Sequence, residues 1–172
     1  MINIVIPMAG RGSRFVSAGY KVPKPLIELG GRPMIAWVVE NLRPEQDHHF
    51  IFICLKEHLK EYPQTVETLR GICPGCDIVE VDGVTEGAAC TVLLAKDLIN
   101  NEVPLMIANS DQYVDYDIDI YLEGMGGGDG LIMSFWADDP KWSYCRLSED
   151  GLVAEVVEKE VISNEEIGRA HV

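Results

Sequence analysis

Short apolar runs alternate along the chain with stretches in which apolar residues recur every three or four positions. Short runs bounded by turn residues are typical of strands buried on both faces, whereas the recurring spacing is typical of amphipathic helices. In the first such stretch, Ile35, Val38, Val39 and Leu42 fall on one helical face. The pattern predicts strands at residues 4–6, 50–55, 78–81 and 104–108, and helices at residues 33–42, 57–69 and 85–99.

Prolines and glycines sharpen this prediction. Pro33 suits the first position of its helix, and Pro63 is expected to divide the second helix. The third helix is almost continuously apolar, so we expect it to be long and well buried. Further along, the pattern predicts three features. Residues 124–130 are expected to form a flexible glycine-rich connection, residues 131–136 a strand, and residues 144–157 a hairpin closed by a glycine turn.

Strands that alternate with helices indicate an α/β fold with a doubly wound, mostly parallel sheet. Sheets of this kind bind ligands beyond the carboxyl ends of their strands. We therefore expect the loop after residue 7 and the loop after residue 108 to lie on the same edge of the sheet.

Composition limits the classes of protein to consider. The 172 residues are 47% hydrophobic and 24% charged, which suits one domain with a substantial core. The formal net charge is −14 and the sequence pI is about 4.5, which argues against nucleic acid as a partner. Because the sequence has no membrane-length apolar run and no signal pattern, we expect a cytoplasmic protein and no membrane partner.

The five cysteines are odd in number, so a disulfide framework is not expected. Cys73 and Cys76 have the spacing of a metal or redox motif, but no second cysteine pair follows, and the histidines do not complete a zinc site. We interpret Pro74 and Gly75 between them as a turn before the strand at residues 78–81.

Positive charge is concentrated near the N-terminus of this acidic chain. Gly10 and Gly12 follow the first strand and allow the backbone to turn tightly and approach a ligand closely. Backbone N–H groups and fixed cations together bind phosphate groups. A phosphate-rich ligand is therefore expected at this loop, with the cations supplied by Arg11, Arg14, Lys21, Lys24 and Arg32.

These motifs resemble the signature of the sugar-phosphate nucleotidylyltransferases, in which a first strand runs into Gly-x-Gly-x-Arg and is followed by Pro-Lys-Pro. The matching residues here are Gly10, Gly12, Arg14 and Pro23-Lys24-Pro25, followed by Gly31-Arg32-Pro33-Met34-Ile35. The resemblance implies a Rossmann-like fold with a mixed, mostly parallel sheet of the nucleotide-diphospho-sugar transferase type. It also implies a magnesium-dependent enzyme of nucleotide sugar biosynthesis, serving cell-surface polysaccharide. Such an enzyme transfers a nucleotidyl group from a nucleoside triphosphate to a sugar 1-phosphate and releases pyrophosphate.

The resemblance assigns roles on the nucleotide side of the site. Arg14 and Lys24 would be catalytic, Arg14 by holding the leaving phosphates and Lys24 by stabilising charge at the α-phosphate. Asp111 would bind Mg²⁺, although Ser110 replaces the glycine that usually precedes this aspartate. Nucleotide binding would involve Ala9, Gly10, Gly12, Glu86 and Gly87, the last two in a base-recognition turn where glutamate replaces the commoner glutamine.

On the acceptor side, the resemblance assigns Tyr144, Glu158 and Lys159 to the second substrate. Tyr144 would pack on the sugar, Glu158 would contact the acceptor, and Lys159 would hold its phosphate. Cys145 stands where the family has glycine, and Glu160 where it has proline. These departures leave room for an acceptor other than a standard hexose phosphate, and the oligomeric state, including a homo-oligomer, stays open.

Three alternatives remain open at the level of sequence. A metal-dependent glycosyltransferase could use Asp115-Tyr116-Asp117, but it leaves Arg14 and Pro23-Lys24-Pro25 without a role. A cytidylyltransferase acting on phosphocholine or a similar phosphorylated alcohol is compatible with Glu86 and Cys145. The third is a non-catalytic nucleotide-binding domain.

The resemblance extends to about Asn164, whereas family members continue into a further strand, helices and a second metal-binding aspartate. We therefore expect residues 1–165 to be a nucleotidyltransferase domain that is incomplete at its C-terminal side, and the truncated chain to bind nucleotide but catalyse poorly or not at all. The final heptapeptide is what a common sequencing-adapter oligonucleotide encodes in one frame, so residues 166–172 are expected to be a non-native tail.

Overall fold

The structure is a computed structural model that describes residues 1–136, 139, 142–158, 160–163 and 167–169. Its residues fall into two compact units, 1–120 and 121–172, which are described separately. The strands are β1 Ile2–Met8, β2 Glu28–Leu29, β3 Arg32–Pro33, β4 His48–Leu55, β5 Asp77–Val81, β6 Leu105–Ile107, β7 Met133–Phe135, β8 Tyr144–Leu147, β9 Val153–Val157 and β10 Ile167–Arg169. The helices are α1 Ser13–Ser17, α2 Met34–Asn41, α3 Lys56–Glu61, α4 Gln64–Ile72, α5 Ala88–Val92, α6 Lys96–Ile99 and α7 Ile118–Glu123, with 3-10 helices at Lys24–Leu26 and Leu93–Ala95.

The first unit is organised around a parallel sheet with the strand order β5-β4-β1-β6. The four strands predicted from the apolar runs are these four strands, so that prediction is confirmed. The chain fills the sheet outward from β1 to β5 and then returns to the other side of β1 to add β6. Because crossovers between parallel strands are right-handed, this reversal places helices on both faces, which is the predicted doubly wound arrangement.

The central strands are continuous apolar runs because both of their faces are covered. Ile4, Val5 and Ile6 of β1 have no exposed surface. Alternate side chains point to opposite faces of the sheet. One face packs against the segment that contains α5 and the 3-10 helix after it, in a buried cluster formed by Val5, Ala9, Ile51, Ile53, Leu55, Val81, Val92 and Ala95.

The prediction of one long, well-buried helix over residues 85–99 is wrong. The segment is divided into α5, a 3-10 turn and α6; Val92 and Ala95 belong to the buried cluster, and the partly buried Ile99 packs against it. Only one side of the segment contacts the sheet, so Leu93 is 64% exposed and Leu94 48% exposed. The 3-10 turn tightens the backbone at this point and changes which side chains face inward.

The other helices of the first unit agree closely with the pattern. Helix α2 begins at Met34, one residue after Pro33, and buries Ile35, Val38 and Val39 as predicted. Pro63 separates α3 from α4, which confirms the predicted division. None of the helices among the described residues is long and apolar enough to cross a membrane.

The second unit contains the predicted hairpin. Strands β8 and β9 pair antiparallel around a turn in which Gly151 has a φ of 79°, in the left-handed region that favours glycine. The strand predicted at residues 131–136 is present as the shorter β7, which pairs antiparallel with β10.

We expect the substitution Ile53→Ala to lower the free energy of unfolding by about 2–5 kcal/mol, because it opens a cavity in the buried cluster. The matched control Leu93→Ala removes a side chain that is 64% exposed and should cost less than about 0.5 kcal/mol. Urea unfolding of both variants measures the difference. Equal losses would mean that the side chain of Leu93 is as well buried as that of Ile53.

Candidate active site

The glycine loop begins where β1 ends. Ala9 is buried in the core cluster, and Gly10 after it is exposed. Gly12 has a φ of 59°, which L-residues with side chains rarely adopt, and its carbonyl accepts a 2.8 Å hydrogen bond from the Phe15 N–H of α1. The backbone therefore passes from strand to helix within a few residues and leaves the loop at the carboxyl edge of the sheet.

The backbone of Lys24 lies next to this loop. It starts the 3-10 helix Lys24–Leu26, between Pro23 and the buried Pro25, and its carbonyl accepts a 3.2 Å hydrogen bond from the Ile27 N–H. A Cβ placed on Gly12 would lie 3.6 Å from Lys24 Cβ, so the loop and the 3-10 helix are close neighbours. Two prolines and this packing hold the lysine backbone while leaving its side chain free to rotate.

Asp111 reaches the same place from β6. The Ala108 N–H donates to the Val5 carbonyl over 3.0 Å, which extends the pairing of β6 with β1 one residue beyond Ile107. The following loop is braced by a 2.9 Å hydrogen bond from Asn109 Nδ2 to Gln112 Oε1. The prediction that the loops after residues 7 and 108 share one edge is confirmed.

At this edge Lys24 Nζ forms an ion pair with Asp111 Oδ2. The two side chains are 26% and 35% exposed, so the pair is partly shielded from solvent. Lys24 Nζ also lies 5.0 Å from the centroid of the Phe15 ring, within the range of a cation–π interaction. One ammonium group is thus held from two sides, by a carboxylate and by an aromatic ring.

A cavity of about 490 Å³ lies beside the glycine loop. Among the described residues that line it, Glu61 is the one carboxylate. Arg11, 72% exposed, lies 3.9 Å from Glu57 and is only weakly engaged by it. The cationic and histidine side chains that line the cavity are those of Arg11, Lys21, Lys24 and His58.

The predicted base-recognition turn precedes α5. The hydroxyl oxygens of Thr85 and Thr91 lie 2.9 and 3.2 Å from the Gly87 carbonyl oxygen and 2.6 Å from each other. Gly87 has an extended backbone with a φ of −172°, and a Cβ added there would meet nothing within 4 Å. The fold therefore does not require glycine at this position, and Glu86 beside it is exposed.

Gly10 has the same property. A Cβ added to it would also meet nothing within 4 Å, and its φ lies outside the left-handed region. Two glycines that neither the backbone nor the packing requires therefore stand in the two loops that the family resemblance assigns to nucleotide binding. Close approach of a ligand gives both of them a physical reason.

The predicted acceptor residues belong to the second unit. Tyr144 is 1% exposed, and its hydroxyl donates to the Asp139 carbonyl over 3.0 Å. Glu158 is exposed and follows β9 directly. Lys159 lies outside the described residues, as does the side chain of Arg14. The roles assigned to Tyr144, Glu158, Lys159 and Arg14 stay predictions.

Sequence reasoning missed three features of the site. It gave Lys24 and Asp111 separate ligands and did not foresee that they pair with each other. It gave no role to Phe15 or to the hydroxyl of Thr91. The sequence did contain a signal for Phe15, because this aromatic residue directly follows Arg14 of the Gly-x-Gly-x-Arg motif.

Two other motifs considered in the sequence, the Asp-x-Asp motif and the cysteine pair, have structural surroundings of their own. In Asp115-Tyr116-Asp117, Asp117 Oδ1 accepts a 2.9 Å hydrogen bond from the Asp119 N–H and so caps α7. Burial raises the pKa of the Cys73 thiol to about 11, which keeps it protonated near neutral pH. Among the described residues, no group of three or more His, Cys, Asp or Glu side chains is placed to hold a metal ion.

Comparison with known proteins agrees with this geometry. A bifunctional protein GlmU of Methanocaldococcus jannaschii is 24% identical over 123 residues, which cover 71% of this chain and 28% of that protein. A mannose-1-phosphate guanyltransferase of Saccharomyces cerevisiae is 29% identical over 154 positions, which cover 79% of this chain and 38% of that protein. The chain therefore spans less than half the length of either curated relative.

A solved structure of a nucleoside-diphosphate-sugar pyrophosphorylase from Vibrio cholerae matches with a TM-score of 0.75 at 24% identity, and covers 96% of this chain and 69% of that chain. This likeness confirms the predicted Rossmann-like fold. The family model described as nucleotidyl transferase matches residues 4–159. Since that match includes most of the sequence, the chain belongs to the nucleotidyl transferase family.

Proposed function

We propose that the protein transfers a nucleotidyl group from a nucleoside triphosphate to a sugar 1-phosphate, giving a nucleotide-activated sugar and pyrophosphate. The observation that carries the proposal is the meeting of the glycine loop, Lys24 and Asp111 at the carboxyl edge of β1 and β6. Family membership and the names of the relatives, which include a mannose-1-phosphate guanyltransferase, support the same reaction. We place it in the cytoplasm, in nucleotide sugar synthesis for cell-surface polysaccharide.

The proposed step is a displacement at phosphorus. An oxygen of the sugar phosphate forms a bond to the α-phosphorus, and the bond from that phosphorus to the bridging oxygen of the β-phosphate breaks. Pyrophosphate leaves with the electron pair, and no covalent intermediate on the protein is needed. Such a reaction depends on positioning and on neutralising phosphate charge.

Different residues would bind the phosphates, the base and the acceptor. The Gly10–Gly12 backbone and Arg14 would hold the leaving phosphates, and Lys24 would stabilise charge at the α-phosphate. Glu86 and Gly87 would meet the base, with Gly87 open to a close approach. Tyr144, Glu158 and Lys159 would hold the acceptor.

Asp111 fits the expected magnesium ion. Mg²⁺ prefers oxygen ligands and is usually held by one or two carboxylates together with substrate phosphates and waters. A single carboxylate next to the phosphate-binding loop therefore suits it better than a closed cluster of protein ligands would. When bound, the ion would neutralise phosphate charge, and Asp111 is the residue that would hold it.

The direct test is a panel of nucleoside triphosphates, each titrated against the chain by calorimetry. Pyrophosphate release with sugar 1-phosphates and with phosphocholine is then assayed with the protein at its full natural length. We expect at least one triphosphate to bind, because the nucleotide side of the site lies within residues 9–111. We also expect pyrophosphate to be released when a sugar 1-phosphate is the acceptor. Turnover only with phosphocholine and a cytidine nucleotide would favour the cytidylyltransferase alternative. Nucleotide binding by the chain without turnover on any acceptor by the protein at full natural length would favour a non-catalytic domain, and absence of binding would contradict the proposal.

Lys24→Ala should lower the rate of turnover roughly a hundredfold, or about 3 kcal/mol, with a smaller effect on nucleotide affinity. The reason is that one fixed donor at the α-phosphate acts mainly on the transition state. Lys60→Ala, which removes an exposed cation of α3, is the control for loss of charge alone. A normal turnover rate with only a weaker Michaelis constant would make Lys24 a ground-state binding residue instead.

Gly10→Ala and Gly87→Ala are expected to leave the free energy of unfolding within about 0.5 kcal/mol of its original value, since the new methyl groups meet no neighbour within 4 Å. Both should nevertheless weaken nucleotide binding, because the methyl groups occupy the space that the ligand approaches. Gly71→Ala in α4 also meets nothing within 4 Å and serves as the control. If all three variants bind nucleotide equally well, Gly10 and Gly87 do not touch it.

A further inference from the structure

The two charged side chains at the centre of the site are each other's partner. The proposed function, on which this inference rests, gives Lys24 to a phosphate and Asp111 to a divalent cation. In the structure Lys24 Nζ instead pairs with Asp111 Oδ2. The ammonium group therefore lies against the same carboxylate that a metal ion would use.

We propose that Lys24 is the built-in counter-ion of Asp111, and that Lys24 exchanges this carboxylate for a phosphate when a divalent cation binds at Asp111. In the nucleotide-free protein the ion pair then neutralises both side chains. The same pair also prevents a lone divalent cation from binding tightly, since the cation must first displace the ammonium group.

The local structure permits this exchange without movement of the backbone. Pro23 and Pro25 flank Lys24, and Pro25 is buried, so the Cα of Lys24 stays in place. The side chain is 26% exposed, which leaves it room to rotate about its four-carbon stem. Lysine suits this role because its ammonium is a compact charge whose three donors do not require one fixed plane.

Phe15 explains why the released ammonium would remain in the site. Its ring centroid lies 5.0 Å from Lys24 Nζ, and the cation–π attraction does not depend on Asp111. After the exchange, Lys24 would therefore still be held over α1, beside the glycine loop where the phosphates are proposed to bind.

Electrostatics gives the exchange its direction. A divalent cation attracts a carboxylate about twice as strongly as an ammonium at the same distance. When that cation arrives on a triphosphate, the released ammonium also gains a phosphate oxygen as its new partner. The exchange thus favours the metal–nucleotide complex over the free metal ion.

The test is a titration of the free chain with Mn²⁺, followed by electron paramagnetic resonance and without nucleotide. We expect Lys24→Gln to bind Mn²⁺ about tenfold more tightly than the unmodified chain, because it removes both the competitor and a repulsive charge. Asp111→Asn and the double variant Lys24→Gln/Asp111→Asn should both lose this binding. Lys24→Arg, which keeps the charge, should bind Mn²⁺ as weakly as the unmodified chain.

Lys60→Gln is the control for a general change of charge, because Lys60 is an exposed cation of α3 that has no role in the proposed site. It should change the Mn²⁺ affinity by less than about twofold. Urea unfolding checks that each variant is folded, and Lys24→Met replaces Lys24→Gln if the latter is not. Equal Mn²⁺ affinity for the unmodified chain and Lys24→Gln, an equal gain in Lys60→Gln, or no binding by any variant would each overturn the proposal. None of these results depends on pyrophosphate release, so failure of the exchange and failure of the proposed reaction are distinguishable.

Discussion

The candidate site depends on the pairing of β1 with β4 on one side and β6 on the other. Parallel strands end at the same edge, and the chain reverses its direction of travel across the sheet at β1. At such a point the loops of two neighbouring strands separate toward opposite faces and leave a crevice between them. The glycine loop follows one of these strands and Asp111 the other, so the sheet topology alone brings together residues that are about a hundred positions apart in sequence.

The fold could be predicted from sequence wherever one strong signal decided the structure. The strands of the sheet are apolar runs buried on both faces, and Pro63 can only divide a helix. The segment at residues 85–99 was predicted wrongly because apolar content was taken as burial. Leu93 and Leu94 are as apolar as Val92, but it is Val92, Ala95 and the partly buried Ile99 that pack against the sheet. Which side of a nearly continuous apolar run faces inward is set by tertiary packing.

For the candidate site, the sequence predicted its location at the sheet edge but not which of its side chains contact each other. The rule for parallel sheets put the loops after residues 7 and 108 at one edge, and motif resemblance gave Lys24 and Asp111 a ligand each. Their mutual ion pair could not be predicted, because it depends on side-chain directions after the backbone has turned at Gly12. Gly87 shows a complementary limit. Its identity suggests a tight turn, yet its φ of −172° is open to any residue, and only the structure shows that the fold leaves space there.

The distribution of ion pairs changes how the positive segment should act. Five cations between residues 11 and 32 suggest a strongly attractive surface for phosphate, but the structure already engages part of that charge. Arg32 pairs with Glu40 over 2.6 Å and stacks on Trp37, which directs it toward α2. Lys24 is neutralised by Asp111. A triphosphate would therefore meet a smaller field than the sequence implies, until binding of a cation at Asp111 returns the charge of Lys24 to the loop. In a chain of net charge −14, the proposed coupling would restrict strong phosphate binding to ligands that bring their own divalent cation.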